Sequence, residues 1–419
     1  MFDVAVICLV LTALLSYLNH RFIGLPTTIG VMGTALLLSF ALLGLAKFGF
    51  GALRDYEVSL LSSIDFSELL MQGMLSLLLF AGALHVDLSE LKAYKWQIGI
   101  LAVFGTLTST LLVGFVLWAI LPYLGIALPL SYCLIFGALI SPTDPIAVMG
   151  ILKSADAPKS LEIVIAGESL FNDGIGVVLF TLILAMIASG EPPTVAHGAL
   201  LLLEEGGGGI VFGLVLGYLA YRMLKSIDSY QEEVLITLAT VLGGYALANH
   251  LQVSGPLAMV VAGLIIGNHG RALAMSDKTR EHLDMFWELL DSMLNAVLFV
   301  LIGLEVVLIE FSTSLALATA VVIVITLLAR LLSVGAPLVL LQRVFNLPQG
   351  ALQVLTWGGL RGGISVALAL SLPSGPQRDL VLALTYGVVV FSILVQGLSI
   401  GKLVRAQRGN ASQPCLHAD

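Results

Sequence analysis

Ser141-Pro142-Thr143-Asp144-Pro145 stands inside an otherwise apolar run, residues 130–152. Each proline removes a helix-forming N–H and clashes with the preceding turn, so an unbroken helix is not expected there. Yet the run is long enough to cross a bilayer, which takes about 20 apolar residues. A second run, 350–372, is interrupted by Gly358-Gly359-Leu360-Arg361-Gly362-Gly363, a string of poor helix formers. Unwound backbone at membrane depth is tolerated only where it is buried in protein or lines a water-filled cavity. The two interruptions therefore predict an all-α polytopic membrane protein with a site near the breaks.

The rest of the chain agrees. Hydrophobic residues make up 58% and charged residues 11%, about half the charged fraction of a soluble domain. Mean hydropathy is +1.03. Such a chain cannot clothe itself in polar surface, so most of its outside must face lipid. The net charge of −8 without a basic stripe leaves no nucleic-acid footprint. Cys8, Cys133 and Cys415 show neither metal spacing nor a disulfide framework.

At about 20 residues per helix, about thirteen spans are expected: 3–20, 26–46, 68–86, 96–121, 130–152, 160–189, 207–225, 231–250, 254–268, 284–309, 314–341, 350–372 and 380–403. Met1-Phe2-Asp3 lacks the basic start of a signal peptide, so the first span is read as retained. With the N-terminus outside, alternate loops carry Arg21, Lys92 and Lys95, Lys153 and Lys159, Arg222 and Lys225. The series goes on through Arg271, Lys278, Arg280 and Arg343 to Lys402, Arg405 and Arg408. The opposite side holds Lys47, Arg54 and Arg378, with Glu191, Glu204, Glu205 and the acidic stretch from Asp55 to Glu68. This asymmetry places the C-terminus in the cytoplasm. The two interrupted spans occupy equivalent positions if spans 1–6 and 8–13 form two repeats, the second inverted. The Gly206–Gly209 run opens the linking helix.

Setting loop charges aside leaves Asp144, Glu168, Asp173, Arg330 and Arg361 within spans, with Glu305 near an end. Each central charge costs about 2.5–3.5 kcal/mol, so these groups should face a cavity or one another. Arg330 lies late in its span and is expected to snorkel; Arg361 has Glu168 as a candidate partner. The sixth span reads Gly167-Glu168-Ser169-Leu170-Phe171-Asn172-Asp173-Gly174. Helical spacing puts Ser169 and Asp173 on one face. A carboxylate with a hydroxyl one turn away offers hard oxygens to a small cation, and the same carboxylate accepts a proton. Where the two compete, one residue couples them. The fifth span adds backbone carbonyls and the Thr143 hydroxyl. Asp144 is expected at a half-helix N-terminus and Arg361 at the C-terminal ends.

Ser-Pro-Thr-Asp-Pro, then Gly-Glu-Ser-Leu-Phe-Asn-Asp-Gly, then Leu-Arg-Gly-Gly-Ile-Ser resembles an NhaP-type sodium/proton antiporter of the cation:proton antiporter superfamily. Leu79-Phe80-Ala81-Gly82-Ala83-Leu84-His85-Val86-Asp87 resembles the bacterial branch. The resemblance covers essentially the whole chain. It implies an inverted-repeat fold, a homodimer and elevator-like movement. Residues 1–95 and 226–310 would be the dimerisation part, 96–190 and 311–405 the ion-transporting core, and 406–419 a short cytoplasmic tail. It makes Asp173 the ion and proton carboxylate, Ser169 and Thr143 coligands of Na⁺, and Asn172 its neutral neighbour. Asp144 and Arg361 become the groups at the crossing, with Glu168 bracing Arg361. Asn-Asp in this family goes with electroneutral one-for-one exchange. Some members carry a glutamate near the position of Ala81, and its absence here would leave the ion shell more hydrated or completed by backbone and water.

The expectation is a multi-pass inner-membrane antiporter serving pH homeostasis, exchanging Na⁺ or Li⁺ for H⁺ without a cofactor. Alternatives are K⁺/H⁺ exchange or sodium-coupled transport of an organic solute on the same fold. An intramembrane aspartyl protease built on Asp144 and Asp173 fits worse, because the prolines and Asn172 suit ion binding better, so an enzyme is not expected. His20, His85 and His269 near helix ends are candidate pH sensors, or simply capping groups.

Overall fold

The computed structural model describes residues 2–47, 73–189, 203–271, 275–305, 312–341, 345 and 347–411. The stretch Asp55 to Glu68, the first residues of span 68–86, Arg54, Glu191, Arg343, Cys415 and the end of the tail lie outside them. The described elements are helical. They are α1 (Phe2–Leu18), α2 (Thr27–Lys47), α3 (Leu75–Leu84), a short α4 (Leu88–Ala93) and α5 (Lys95–Leu124). The fifth span is two helices, α6 (Leu130–Ile140) and α7 (Ile146–Ser154). After these come α8 (Lys159–Ser189), α9 (Gly208–Leu224), α10 (Tyr230–His250), α11 (Gly255–Ile265), α12 (Asp277–Glu305) and α13 (Thr313–Leu340). The twelfth span is also two, α14 (Ala351–Trp357) and α15 (Gly363–Leu370). The last described elements are α16 (Pro376–Phe391), running through a wide turn at Ser392–Gly397 into α17 (Leu398–Ala411).

Among the described residues, eight helices are long and apolar enough to cross a membrane. Leu14, Phe104, Val211 and Leu332 stand exposed on the outsides of α1, α5, α9 and α13. Apolar side chains turned outward on long helices fit hydrocarbon, not water. The polar side chains are turned inward: Thr143, Glu168, Ser169, Asn172, Arg330 and Arg361 are all buried. α4 was not expected as a helix. Asp87 caps it by accepting from the N–H groups of Ser89 (2.6 Å) and Glu90 (3.4 Å).

α12 begins at Asp277, well before the expected 284. Its first turns carry too much charge to read as a span, yet they keep a buried stripe in Leu283 and Trp287. The fully buried Trp287 donates its indole N–H to Thr237 Oγ1 (3.1 Å) on α10 and meets Phe80 of α3 at 4.7 Å. Farther along, Ser39 Oγ of α2 donates to the Gly303 carbonyl (3.0 Å). α12 is therefore fixed to α2, α3 and α10. α8, which carries the Gly167–Gly174 stretch, packs against α6 and α5.

Candidate functional site

The two breaks meet. The Asp144 N–H donates to the Leu360 carbonyl (2.8 Å), tying one unwound segment to the other. Arg361 Nη1 donates to the carbonyls of Ser141 and Pro142 (2.8 Å to Pro142), where α6 ends. Its own N–H donates to Ser392 Oγ (2.9 Å). A guanidinium thus meets two carbonyls at the C-terminal end of α6, where the helix dipole is negative, and one of them, Ser141, is left without a helical partner by Pro145. Asp144 takes the complementary place, its carboxylate pressed against Gly362 just before α15. A Cβ at Gly362 would lie 2.0 Å from Asp144 Oδ2, so only glycine admits the carboxylate there.

Glu168 does not brace Arg361. It forms a two-pronged ion pair with Arg330, Nη1 to Oε1 and Nη2 to Oε2 (2.9 Å). Arg330 also donates from Nε (3.2 Å) and Nη2 (3.1 Å) to the Leu355 carbonyl of α14. At 5% exposure it does not snorkel. The reason is local: Arg361 turns Nη1 to the α6 carbonyls, while Arg330 reaches inward past Gly359, where a Cβ would meet Nε at 2.6 Å. The pair locks α8, α13 and α14 together.

Beside the lock, Thr143 and the polar face of α8 form a tight cluster. Asn172 Nδ2 donates to Thr143 Oγ1 (2.9 Å), and the Thr143 N–H donates to Asn172 Oδ1 (3.2 Å). Thr143 Oγ1 and Ser169 Oγ share a hydrogen bond at 3.0 Å. The amide of Asn172 is therefore committed to holding the fifth-span break against α8. Gly176 allows this approach, since a Cβ there would strike Pro142 at 2.2 Å. Asp173 is different. It is 6% exposed, yet among the described residues no hydrogen bond or ion pair reaches its carboxylate.

Asp173 lines a cavity of about 490 Å³ together with Thr143, Asp144, Pro142 and Ala81. Ala81 does face this space, so the residue type at that position bears on what fills it. The same lining carries His85, Lys153, Glu288, Asp291 and Asn295, of which Glu288 is exposed, Asp291 half-buried and Asn295 buried. His85 is fixed through Nδ1 to the Ala81 carbonyl (2.8 Å), while His20 and His269 are exposed and away from it. Glu288 and Asp291 are not among the in-span charges expected from the sequence, although the sequence carries a signal for them. With Asn295 they recur at i, i+3 and i+7 in an apolar span, one polar face of a helix.

A family model described as the transmembrane sodium/hydrogen exchanger matches residues 10–406. The chain belongs to the sodium/hydrogen exchanger family. The Na⁺/H⁺ antiporter NhaP of Pseudomonas aeruginosa is 55% identical to this chain over 423 residues, covering 99% of this chain and 98% of that protein. The Na⁺/H⁺ antiporter NhaH of Halobacillus dabanensis is 34% identical over 376 residues, 88% of this chain and 90% of its own. The solved sodium proton antiporter MjNhaP1 from Methanocaldococcus jannaschii matches with a TM-score of 0.75 at 20% identity. That match covers 95% of this chain and 96% of the other, and shows a shared fold. These named relatives are antiporters.

Proposed function

We propose that this exchanger moves Na⁺ or Li⁺ in one direction and H⁺ in the other, one for one, by competition at Asp173. The observation that carries the reading is the nearly buried Asp173 carboxylate, without a hydrogen-bond or ion-pair partner and facing the cavity. A carboxylate so enclosed is costly as a bare charge and is satisfied either by a proton or by a cation. Thr143 and Ser169 supply hydroxyl oxygens and the unwound 141–145 segment supplies carbonyls. Asn172 holds Thr143 in place. Asp144 and Arg361 stabilise the crossing of the broken helices. One carboxylate that swaps one proton for one monovalent cation never changes its net charge, which makes the exchange electroneutral.

The larger frame follows. The chain would comprise thirteen membrane helices in two inverted six-helix repeats with a linking helix. Residues 96–190 and 311–405 would slide as a core past 1–95 and 226–310, which form a homodimer. The protein would lie in the inner membrane with its N-terminus outside and its C-terminus inside. The names of the relatives favour sodium over potassium. The test uses proteoliposomes with an imposed pH gradient. Na⁺ or Li⁺ should dissipate it, and the Asp173→Asn variant should not respond. Dissipation by K⁺ alone, or normal exchange by Asp173→Asn, refutes the reading.

A further inference from the structure

We propose that Asp291 on α12 is an outer cation-binding carboxylate, which holds the ion in the cavity before it reaches Asp173. The proposal rests on the exchange reading and adds a second, separable group to it. Glu288, Asp291 and Asn295 lie on one face of α12 and line the same cavity as Asp144 and Asp173. Four carboxylates thus look into one space, and among the described residues Glu288, Asp291 and Asp173 form no ion pair. Among the described residues, Lys153 is the one lysine or arginine lining that space, with His85.

Asp291 is not a loosely solvated surface group. Asn295, 2% exposed, donates its Nδ2 to Asp291 Oδ1 (3.1 Å) and to the Asp291 carbonyl (2.9 Å), which sets the direction of the carboxylate. A second observation points to a cation: in the same cavity Asp173 is only 6% exposed, and among the described residues no donor reaches it. A cleft lined by one sign of charge between low-dielectric walls concentrates counter-ions. Asp291 also belongs to a helix fixed to α2, α3 and α10, whereas Asp173 sits on α8. The outer group is therefore set on a separate wall from the inner one, suited to receiving an ion and passing it on.

The test measures the Na⁺ concentration giving half-maximal exchange, and the maximal rate, for the full chain in proteoliposomes at fixed pH with choline chloride varied. Asp291→Asn should raise the half-saturating Na⁺ about tenfold, the lower end of focusing by a charged cleft, and keep most of the maximal rate. It should also flatten the dependence on choline chloride, which screens Asp291 in the parent, and Asp291→Glu should restore both. An unchanged half-saturating concentration overturns the proposal. So does a fall in maximal rate alone that Asp291→Glu does not rescue, because that marks a structural role. If Asp291→Asn does not assemble, Glu288→Gln on the same face should give a rise of about twofold, and no rise counts against the proposal. Asp173→Asn runs alongside: exchange surviving there refutes the competition reading whatever Asp291 does.

Discussion

Arg330→Met offers a sharp test of how the core is held. Glu168 is 1% exposed and Arg330 5%, and their two-pronged pair bridges α8 and α13. Removing the arginine leaves an ionised carboxylate buried without a counter-charge, worth about 3–5 kcal/mol in comparable buried pairs. The Leu355 carbonyl loses both of its Arg330 donors as well. Taking about 2.1 cal/mol/K of unfolding entropy per residue over 419 residues, that loss lowers the melting temperature by about 3–6 °C. Helices that persist in the unfolded membrane state reduce the entropy change, so the shift should be at least this large. The assay is thermal unfolding of purified protein in detergent, followed by loss of the monodisperse peak. The double variant Glu168→Leu with Arg330→Met should melt closer to the parent than Arg330→Met alone, because no charge is stranded. A single variant within about 1 °C of the parent, or a double variant worse than either single one, refutes the pairing argument.

Other expectations follow from the same geometry. Gly362→Ala would place a Cβ 2.0 Å from Asp144 Oδ2, so it should displace that carboxylate and cut the exchange rate by at least about tenfold while the protein still folds; counterflow of ²²Na⁺ reads this out. Asn172→Leu removes both bonds that Asn172 makes to Thr143, leaving only the one to Ser169, and should cost about 2–3 kcal/mol of stability and most of the transport; a full-rate variant would contradict the clamp. Asp87 caps α4, and the Ser89 N–H holds its carboxyl below the usual carboxylate range. Because the folded value is the lower one, the cap's contribution is present above the ordinary carboxylate pKa and is lost as pH falls through the depressed one. The protection of the Leu88–Ala93 amides, taken relative to their intrinsic exchange rate at each pH, should therefore fall at acid pH in the parent and be low at all pH values in Asp87→Ala.

The positions of the breaks were legible because proline and glycine act locally: Pro142, Pro145 and the Gly358–Gly363 segment stop a helix whatever surrounds them. Asp173 was legible because a lone carboxylate in an apolar span is costly wherever the span packs. The partner of Glu168 was not. Periodicity gives the face of α8 on which Glu168 lies, but choosing between Arg330 and Arg361 needs the angle at which α13 passes α8. The end position of Arg330 suggested snorkelling; the glycine at 359 that lets it turn inward is visible only once the two segments are adjacent. Asn172 is a similar case. Its neighbour in sequence is Asp173, but its amide faces Thr143 on the broken span. Asp291 is hidden in the sequence because the charged start of α12 looks like a loop end, although Glu288, Asp291 and Asn295 keep the i, i+3, i+7 spacing.

The central claim is that a proton and a cation compete for Asp173, and the pH dependence of cation affinity tests it most directly. Initial rates of Na⁺-driven proton release from proteoliposomes, taken over a range of Na⁺ at each pH, give the half-saturating concentration. Competition at one carboxylate predicts that this concentration rises about tenfold per pH unit on the acid side, at constant maximal rate and with no effect of clamping the membrane potential. A half-saturating concentration that stays fixed across pH, or a rate that follows the membrane potential, would contradict it.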